Sequence, residues 1–355
     1  MVLPAQLSSG ASTQSIREFN SPSGLAFGGG HLWVTNEAGN SVSEINPING
    51  SWIATFDSKI YGFRRPTAIA RNGPNLFVTN AVGSISELRA SNGAFVRIIS
   101  GPRYRFADPV AIEADGSLLL VLNAGRAGAG SITVIRARAG SLVRTVSGPK
   151  FAFADPVALA VSGPDIFVAD KGDNSVTEVR IASGGLVRVV AQQGLSAPDG
   201  IAVENGEVWV ANSGSNSATE FAAATGTVIT TKGNSDGKYG FGTPSVVIGI
   251  RGYMYVASPF GSSPMVTKLS ATSGQPSWFM CNTNGPYYFS LLSAFAVSGS
   301  DLWVASRSGA NSATPGARTG SLTEMSTGDG SLIRTLPNGT TIPTTTSTTS
   351  ITTTS

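Results

Sequence analysis

Residues able to serve as nucleophile, base or metal ligand are few and scattered in this 355-residue chain. The single histidine, His31, ends a Gly28-Gly29-Gly30-His31 turn, and the single cysteine is Cys281. Neither has a partner at a spacing that would build a zinc site, a Ser-His-Asp triad or a Cys-His pair. Glutamates recur instead, at Glu44, Glu87, Glu178, Glu220 and Glu324. They hold equivalent places in separate repeats, so they are dispersed rather than set within the roughly 5–10 Å that paired-carboxylate glycoside hydrolysis needs. A second set, Asn36, Asn80, Asn123, Asp170 and Asn212, could ring a central ion. Asn and Asp at strand-to-loop transitions more commonly bond their own following turn, and that is the expectation here. Asp170-Lys171-Gly172-Asp173-Asn174 lacks the alternating acidic spacing and terminal Glu of a calcium loop. No catalytic, metal-binding or cofactor-binding residue is assigned from these patterns.

Aromatic and cationic residues offer more. Pairs of aromatics stand five and three residues before a recurring anchor, usually Pro: Tyr61/Phe63, Tyr104/Phe106, Phe151/Phe153, Tyr239/Phe241 and Tyr287/Phe289. Cations lie among them. The candidate partner contacts are Tyr61, Arg64, Arg65, Tyr104 and Arg105, with Lys150, Phe151, Lys238, Tyr239 and Tyr287. The nearer aromatic of each pair is expected to plug the space between repeats and the farther one to show on the surface. Tyr beside Arg suits recognition of a protein, peptide or sugar. Arg97, Arg144, Arg188 and Arg334 recur elsewhere and are expected along repeat edges, facing the glutamates across strands.

The elements that position these residues follow from an ungapped repeat. Seven stretches run from an anchor to a polar residue fourteen positions on: Pro22 to Asn36, Pro66 to Asn80, Pro109 to Asn123, Pro156 to Asp170, Pro198 to Asn212, Pro244 to Ser258 and Leu292 to Ser306. Successive anchors lie 44, 43, 47, 42, 46 and 48 residues apart, within the period of β-propeller arrays. Pro198 can open a strand that needs no donor there, and Asn205-Gly206 makes a two-residue hairpin turn into Val208-Trp209-Val210-Ala211. Both strands are nearly continuous apolar runs, as in a sheet covered on both faces. A third strand alternates polar and apolar, as in Ser84-Ile85-Ser86-Glu87-Leu88, and a fourth follows a Gly-containing turn, as in Phe95-Val96-Arg97-Ile98. The fold expected is all-β: a seven-bladed β-propeller with four antiparallel strands per blade. The loops before each anchor and those after each Asn36-type residue then share one face of the disc, aromatic and moderately basic. His31 lies on the opposite face.

Ser15-Ile16-Arg17-Glu18-Phe19 and Ser331–Leu336 both read as outer strands, offering eight for seven places, so one of them must close the ring. Residues 1–14 lack a basic start and apolar core of a secretory signal and read as a flexible extension; 15–336 form the propeller. In 337–355, thirteen of nineteen residues are Ser or Thr, the composition of a disordered stalk or tether. A net charge of +3 gives no expectation of a nucleic-acid partner, and no apolar run is long enough to insert in a membrane. A monomer is expected.

The unit P-x-x-I-A, L-W-V-A-N and N-S-V-T-E resembles NHL- and YVTN-type propeller repeats, and the wider group that includes the streptogramin (virginiamycin B) lyases. The resemblance covers 15–336. For the lyases it implies a metal held with two histidines and a glutamate near the central channel, and this chain has one histidine. The leading expectation is a non-enzymatic recognition or scaffold module that binds a protein, peptide or glycan through the aromatic–basic face, with display at a microbial cell surface suggested by the tail. Two alternatives are a metal-dependent lyase-like or hydrolase-like propeller enzyme, and an extracellular sensor domain of a longer chain.

Overall fold

Anchor and polar residue meet across a hairpin wherever the repeat is regular: Pro22 pairs with Asn36, Pro66 with Asn80, Pro109 with Asn123, Pro156 with Asp170, Pro198 with Asn212 and Leu292 with Ser306. The computed structural model describes residues 19–336 apart from 126–127, 192–193, 234–237, 260–263, 282–288 and 308–319. Four consecutive strands form each sheet. The blades run Pro22–Phe56, Pro66–Ser100, Pro109–Ser147, Pro156–Val190, Pro198–Gly233, Val246–Cys281 and Leu292–Leu336, numbered 1 to 7 here. Inner strands touch their neighbours all round, with blade 7 against blade 1. The protein is a seven-bladed β-propeller.

The core lies between blades rather than within them. Seven apolar clusters each join two adjacent sheets; one links Leu120 and Ile132 of blade 3 to Ile166 and Val179 of blade 4. Trp33, Trp209 and Trp303 are wholly buried in these seams. Burying each such side chain stabilises the fold by roughly 1.5–3 kcal/mol. The second strands are covered on both faces, as their apolar runs predict.

The third strands depart from expectation. Their alternation suggests one wet face, yet Ser41–Ile45 and the first five residues of Ser84–Arg89 and Ser175–Arg180 are buried throughout. Both faces pack against neighbouring blades, so the polar residues are enclosed. Glu44, Glu87, Glu178, Glu220 and Glu324 are at most 3% exposed. Register supplies their partners: Glu87 faces Arg97, Glu178 faces Arg188 and Glu324 faces Arg334 on the outer strands, at 2.5, 2.9 and 2.5 Å. Each arginine then reaches the next blade. Arg97 donates to the carbonyl of Ala137 (2.8 Å), Arg144 to Ile181 (2.8 Å) and Arg188 to Ala224 (2.9 Å). Gly140, at φ 65°, turns the chain where a Cβ would sit 3.1 Å from the Arg97 guanidinium carbon. In blade 6 Lys268 replaces the glutamate and donates to the carbonyls of Thr327 (2.7 Å) and Gly328 (3.1 Å) in blade 7.

The outer strand of blade 7 is Leu332–Leu336, and Phe19, the one described residue of Ser15–Phe19, lies outside any strand. Phe19 is the residue three before Pro22. It is wholly buried against Trp52, 4.6 Å between rings, and its carbonyl accepts from the Gly320 amide at 2.6 Å. Residues 15–18, 1–14 and 337–355 lie outside the described residues. Among the described residues every sheet is built from four consecutive strands, blade 7 included. Side chains join blade 7 to blade 1 as well, with Ser293 donating to the Pro22 carbonyl at 2.6 Å and Arg334 to the Ile48 carbonyl at 2.9 Å.

Candidate functional site on the connector face

The connectors from each outer strand to the next anchor are fastened from beneath. Asn80 accepts the Arg64 amide (3.1 Å) and donates to Ser84 (3.2 Å) and Ser86 (3.1 Å); Ser86 donates in turn to the Tyr61 carbonyl at 2.6 Å. Asn123 and Thr133 hold Tyr104 likewise, the threonine bond being 2.9 Å. Thr177 holds Phe151 (2.8 Å) and Thr267 holds Tyr239 (2.9 Å). Asp170 accepts the amides of Asp155 (3.2 Å) and Asp173 (2.9 Å), and burial pushes its carboxyl above the usual range. The Asn36-type set therefore spends its side chains on turns and connectors. Among the described residues no three His, Cys, Asp or Glu side chains gather where they could hold a metal ion.

The same fastening corrects the expected exposure of the aromatics. Tyr104 and Phe151 are 3% exposed and Tyr239 is 7%. Residues five and three before an anchor lie two apart on one side of the chain, so their rings stack: Tyr61 on Phe63 (5.3 Å), Tyr104 on Phe106 (5.3 Å), Phe151 on Phe153 (5.6 Å) and Tyr239 on Phe241 (5.5 Å). A cation covers the stack from outside, Arg103 at 4.8 Å over Tyr104 and Lys150 at 4.9 Å over Phe151. Lys238 sits 5.7 Å over Tyr239 and donates to Gln275 at 2.7 Å. Tyr61 alone of the described four stays half-buried, edge-on to Phe95 at 5.9 Å. Tyr287 lies outside the described residues. The surface itself is left to the cations: Arg64, Arg65, Arg105, Lys150 and Lys238 are exposed. Arg105 also borders a cavity of about 640 Å³ between blades 3 and 4, with Thr145, Ser147 and Asp173.

At the axis the connector face opens into a second cavity, about 620 Å³. Its lining has a local cause. Each inner strand of blades 1–5 and 7 carries a register shift next to its anchor, and a bulge re-aims a side chain. The residue after the anchor lines the mouth in all seven blades, blade 6 doing so without such a shift: Ser23, Thr67, Val110, Val157, Asp199, Ser245 and Ser293. Charges stand above this ring. Glu37 receives Arg65 on one oxygen (2.9 Å) and Arg307 on the other (3.3 Å). Lys171 pairs with Asp199 at 2.9 Å. Asp108 is exposed there, in no ion pair among the described residues.

Two features on the far side of the blades escaped sequence reasoning. His31, read as partnerless, pairs through Nδ1 with an oxygen of Glu44, because the hairpin sets Trp33 opposite Glu44 and His31 two residues along the same face. In blade 5 Thr230, not arginine, faces Glu220, and the neighbouring ionisable group is the Glu207 carboxyl instead. Burial, then Glu207, push Glu220 up to about 7.

Fold and site together define a seven-bladed propeller with a fastened cationic face and a charge-rimmed axial mouth. No protein-family model matches the chain, and no curated protein matches its sequence. Solved structures do. Selenomethionine-substituted virginiamycin B lyase from Staphylococcus aureus superposes with a TM-score of 0.65 at 14% identity, over 81% of this chain and 92% of that one. The computationally designed Ika8 protein gives 0.62 at 14% identity, over 90% of this chain and 88% of that one. At such identity both likenesses are of fold.

Proposed function

We propose that this chain is a recognition module that binds a protein, peptide or glycan partner on the connector face, through exposed cations rather than through the aromatic pairs. The fastening of the connectors carries this reading. Hydroxyl-to-carbonyl bonds hold the backbone at Tyr61, Tyr104, Phe151 and Tyr239 at equivalent places in their blades, so the loops that carry the surface groups need little ordering on binding. Arg64, Arg105 and Lys150 are exposed on that platform, Lys150 with its ammonium 4.9 Å over the Phe151 ring. A peptide and glycan array tests it. A partner is expected whose capture weakens at least tenfold in Arg64→Glu/Arg105→Glu/Lys150→Glu, and weakens with added salt as exposed charge pairs do. Capture unaffected by all three reversals contradicts the reading.

A further inference from the structure

We propose that the axial mouth takes a short peptide with free termini and apolar side chains, its carboxylate on Arg65 and Arg307 and its ammonium on Asp108. This rests on the recognition reading and narrows its partner class.

Arg65 and Arg307 are held from both sides of Glu37, at 2.9 and 3.3 Å, which fixes two guanidiniums above one half of the mouth. Each uses one nitrogen on Glu37 and is still 64% and 45% exposed. A guanidinium has five N–H donors, so both keep donors for a second carboxylate. Two cations on one carboxylate leave one positive charge. Lys171 and Asp199 cancel each other.

Asp108 holds the place in blade 3 that Arg65 holds in blade 2. Both directly precede an anchor, both have left-handed backbone (φ 50° for Arg65, 52° for Asp108), and both line the mouth. No ion pair joins them. Unlike charges on adjacent blades are thus left to be bridged by a molecule carrying both signs.

The wall beneath selects against a sugar. Three hydroxyls of the ring already donate to the next anchor's carbonyl: Ser23 to Pro66 (2.7 Å), Thr67 to Pro109 (2.7 Å) and Ser293 to Pro22 (2.6 Å). A glycan would find few free donors. Val110, Val157 and Leu292 offer apolar surface instead. A cavity of about 620 Å³ lies within the range of small-ligand sites, roughly 300–1,000 Å³.

The test is titration calorimetry of the full chain with the tripeptide Leu-Val-Leu, its C-terminal amide, its N-acetyl form, and maltotriose. Free Leu-Val-Leu is expected to bind, with each blocked form at least tenfold weaker. Arg65→Ala/Arg307→Ala should bind the free peptide at least tenfold more weakly and no longer distinguish the amide. Asp108→Asn should no longer distinguish the acetylated form. These side chains are exposed, so an unchanged Tm in each variant separates lost binding from lost fold. No binding of Leu-Val-Leu at millimolar concentration, or equal binding of blocked and free forms, overturns the proposal. Binding of maltotriose alone overturns it too, while leaving the recognition reading in place. That reading fails separately, if the array partner ignores the Arg64, Arg105 and Lys150 reversals.

Discussion

Arg334, on the last strand of blade 7, donates to the carbonyl of Ile48 in blade 1 at 2.9 Å, closing the ring across 286 residues of sequence. The same guanidinium pairs at 2.5 Å with Glu324, which is 2% exposed. Gly50 admits it, since a Cβ there would sit 3.0 Å from the arginine Cδ. Arg97 and Arg188 make the same two-way bond inside the ring, so in this respect the closing seam is built like the others.

Removing Arg334 leaves an enclosed carboxylate unpaired and frees the Ile48 carbonyl. Arg334→Ala should lower stability by about 3 kcal/mol, the scale on which a broken buried pair is felt. The double variant Arg334→Ala/Glu324→Gln should recover part of that. Urea denaturation monitored by tryptophan fluorescence checks both. A loss below about 0.5 kcal/mol would show the seam to be held by apolar packing alone.

Stability should fall as pH rises from 5 to 8. Burial lifts the carboxyls of Glu113, Glu220 and Glu324 from 4.5 to about 7. Between those two values the folded chain holds more protons than the unfolded one, so unfolding free energy declines with pH across that window and levels off above it. In blade 5 ionisation also sets Glu220 against Glu207. Calorimetric Tm at pH 5 should exceed that at pH 8, and Glu220→Gln should narrow the gap by raising the pH 8 value. An equal gap in the variant would remove Glu220 from the explanation.

Lys268 is 6% exposed, 3.9 Å over the ring of Tyr253 and 5.9 Å from those of Tyr255 and Trp278. It stands where five of the other blades place a glutamate, and no arginine faces it; Trp278 does. Restoring the commoner residue is therefore harmful. Lys268→Glu should cost more than Lys268→Met, because it encloses a carboxylate beside two carbonyls and no cation, whereas Met forfeits only the bonds to Thr327 and Gly328. We expect about 2 kcal/mol for Met, from unpaired carbonyls and lost cation–π contact, and more for Glu, both read from thermal unfolding.

Tyr104 and Arg105 are neighbours with separate duties. Tyr104 is buried, stacked on Phe106 and bonded through its hydroxyl to the Gly140 carbonyl at 2.7 Å. Tyr104→Ala should lower stability by about 3–5 kcal/mol, as large aromatic truncations do. Arg105→Glu should leave Tm unchanged and weaken capture of an array partner. If Tyr104→Phe, which keeps the stack and removes only the hydroxyl, abolishes capture at unchanged Tm, that hydroxyl contributes to binding directly and the division fails.

The propeller was readable because its signals are local. Anchor, hairpin turn and polar residue fall within fifteen positions, and their spacing already carries the register that pairs Pro198 with Asn212. Of the polar seams, the cross-strand facing of arginine and glutamate was readable and Glu87 does meet Arg97; the burial of the glutamates and the reach of Arg97 to Ala137, forty residues on, were not. The axial mouth left no mark either. The residue after the anchor is Ser, Thr, Val or Asp in different blades, and what gives these residues a common direction is the backbone at the anchor, which carries a register shift in six of the seven blades. The aromatic pairs carried a signal that composition hid. Spacing two apart along a strand-like stretch puts both rings on one side, where the first stacks on the second and is covered.

The central claim, recognition on the connector face, is tested most directly by hydrogen exchange with a captured partner. Protection is predicted in the amides of 57–66, 101–109 and 148–156, which lie on that face. Protection confined to the opposite hairpins at 72–75 and 115–118, or to the outer strands, would contradict it.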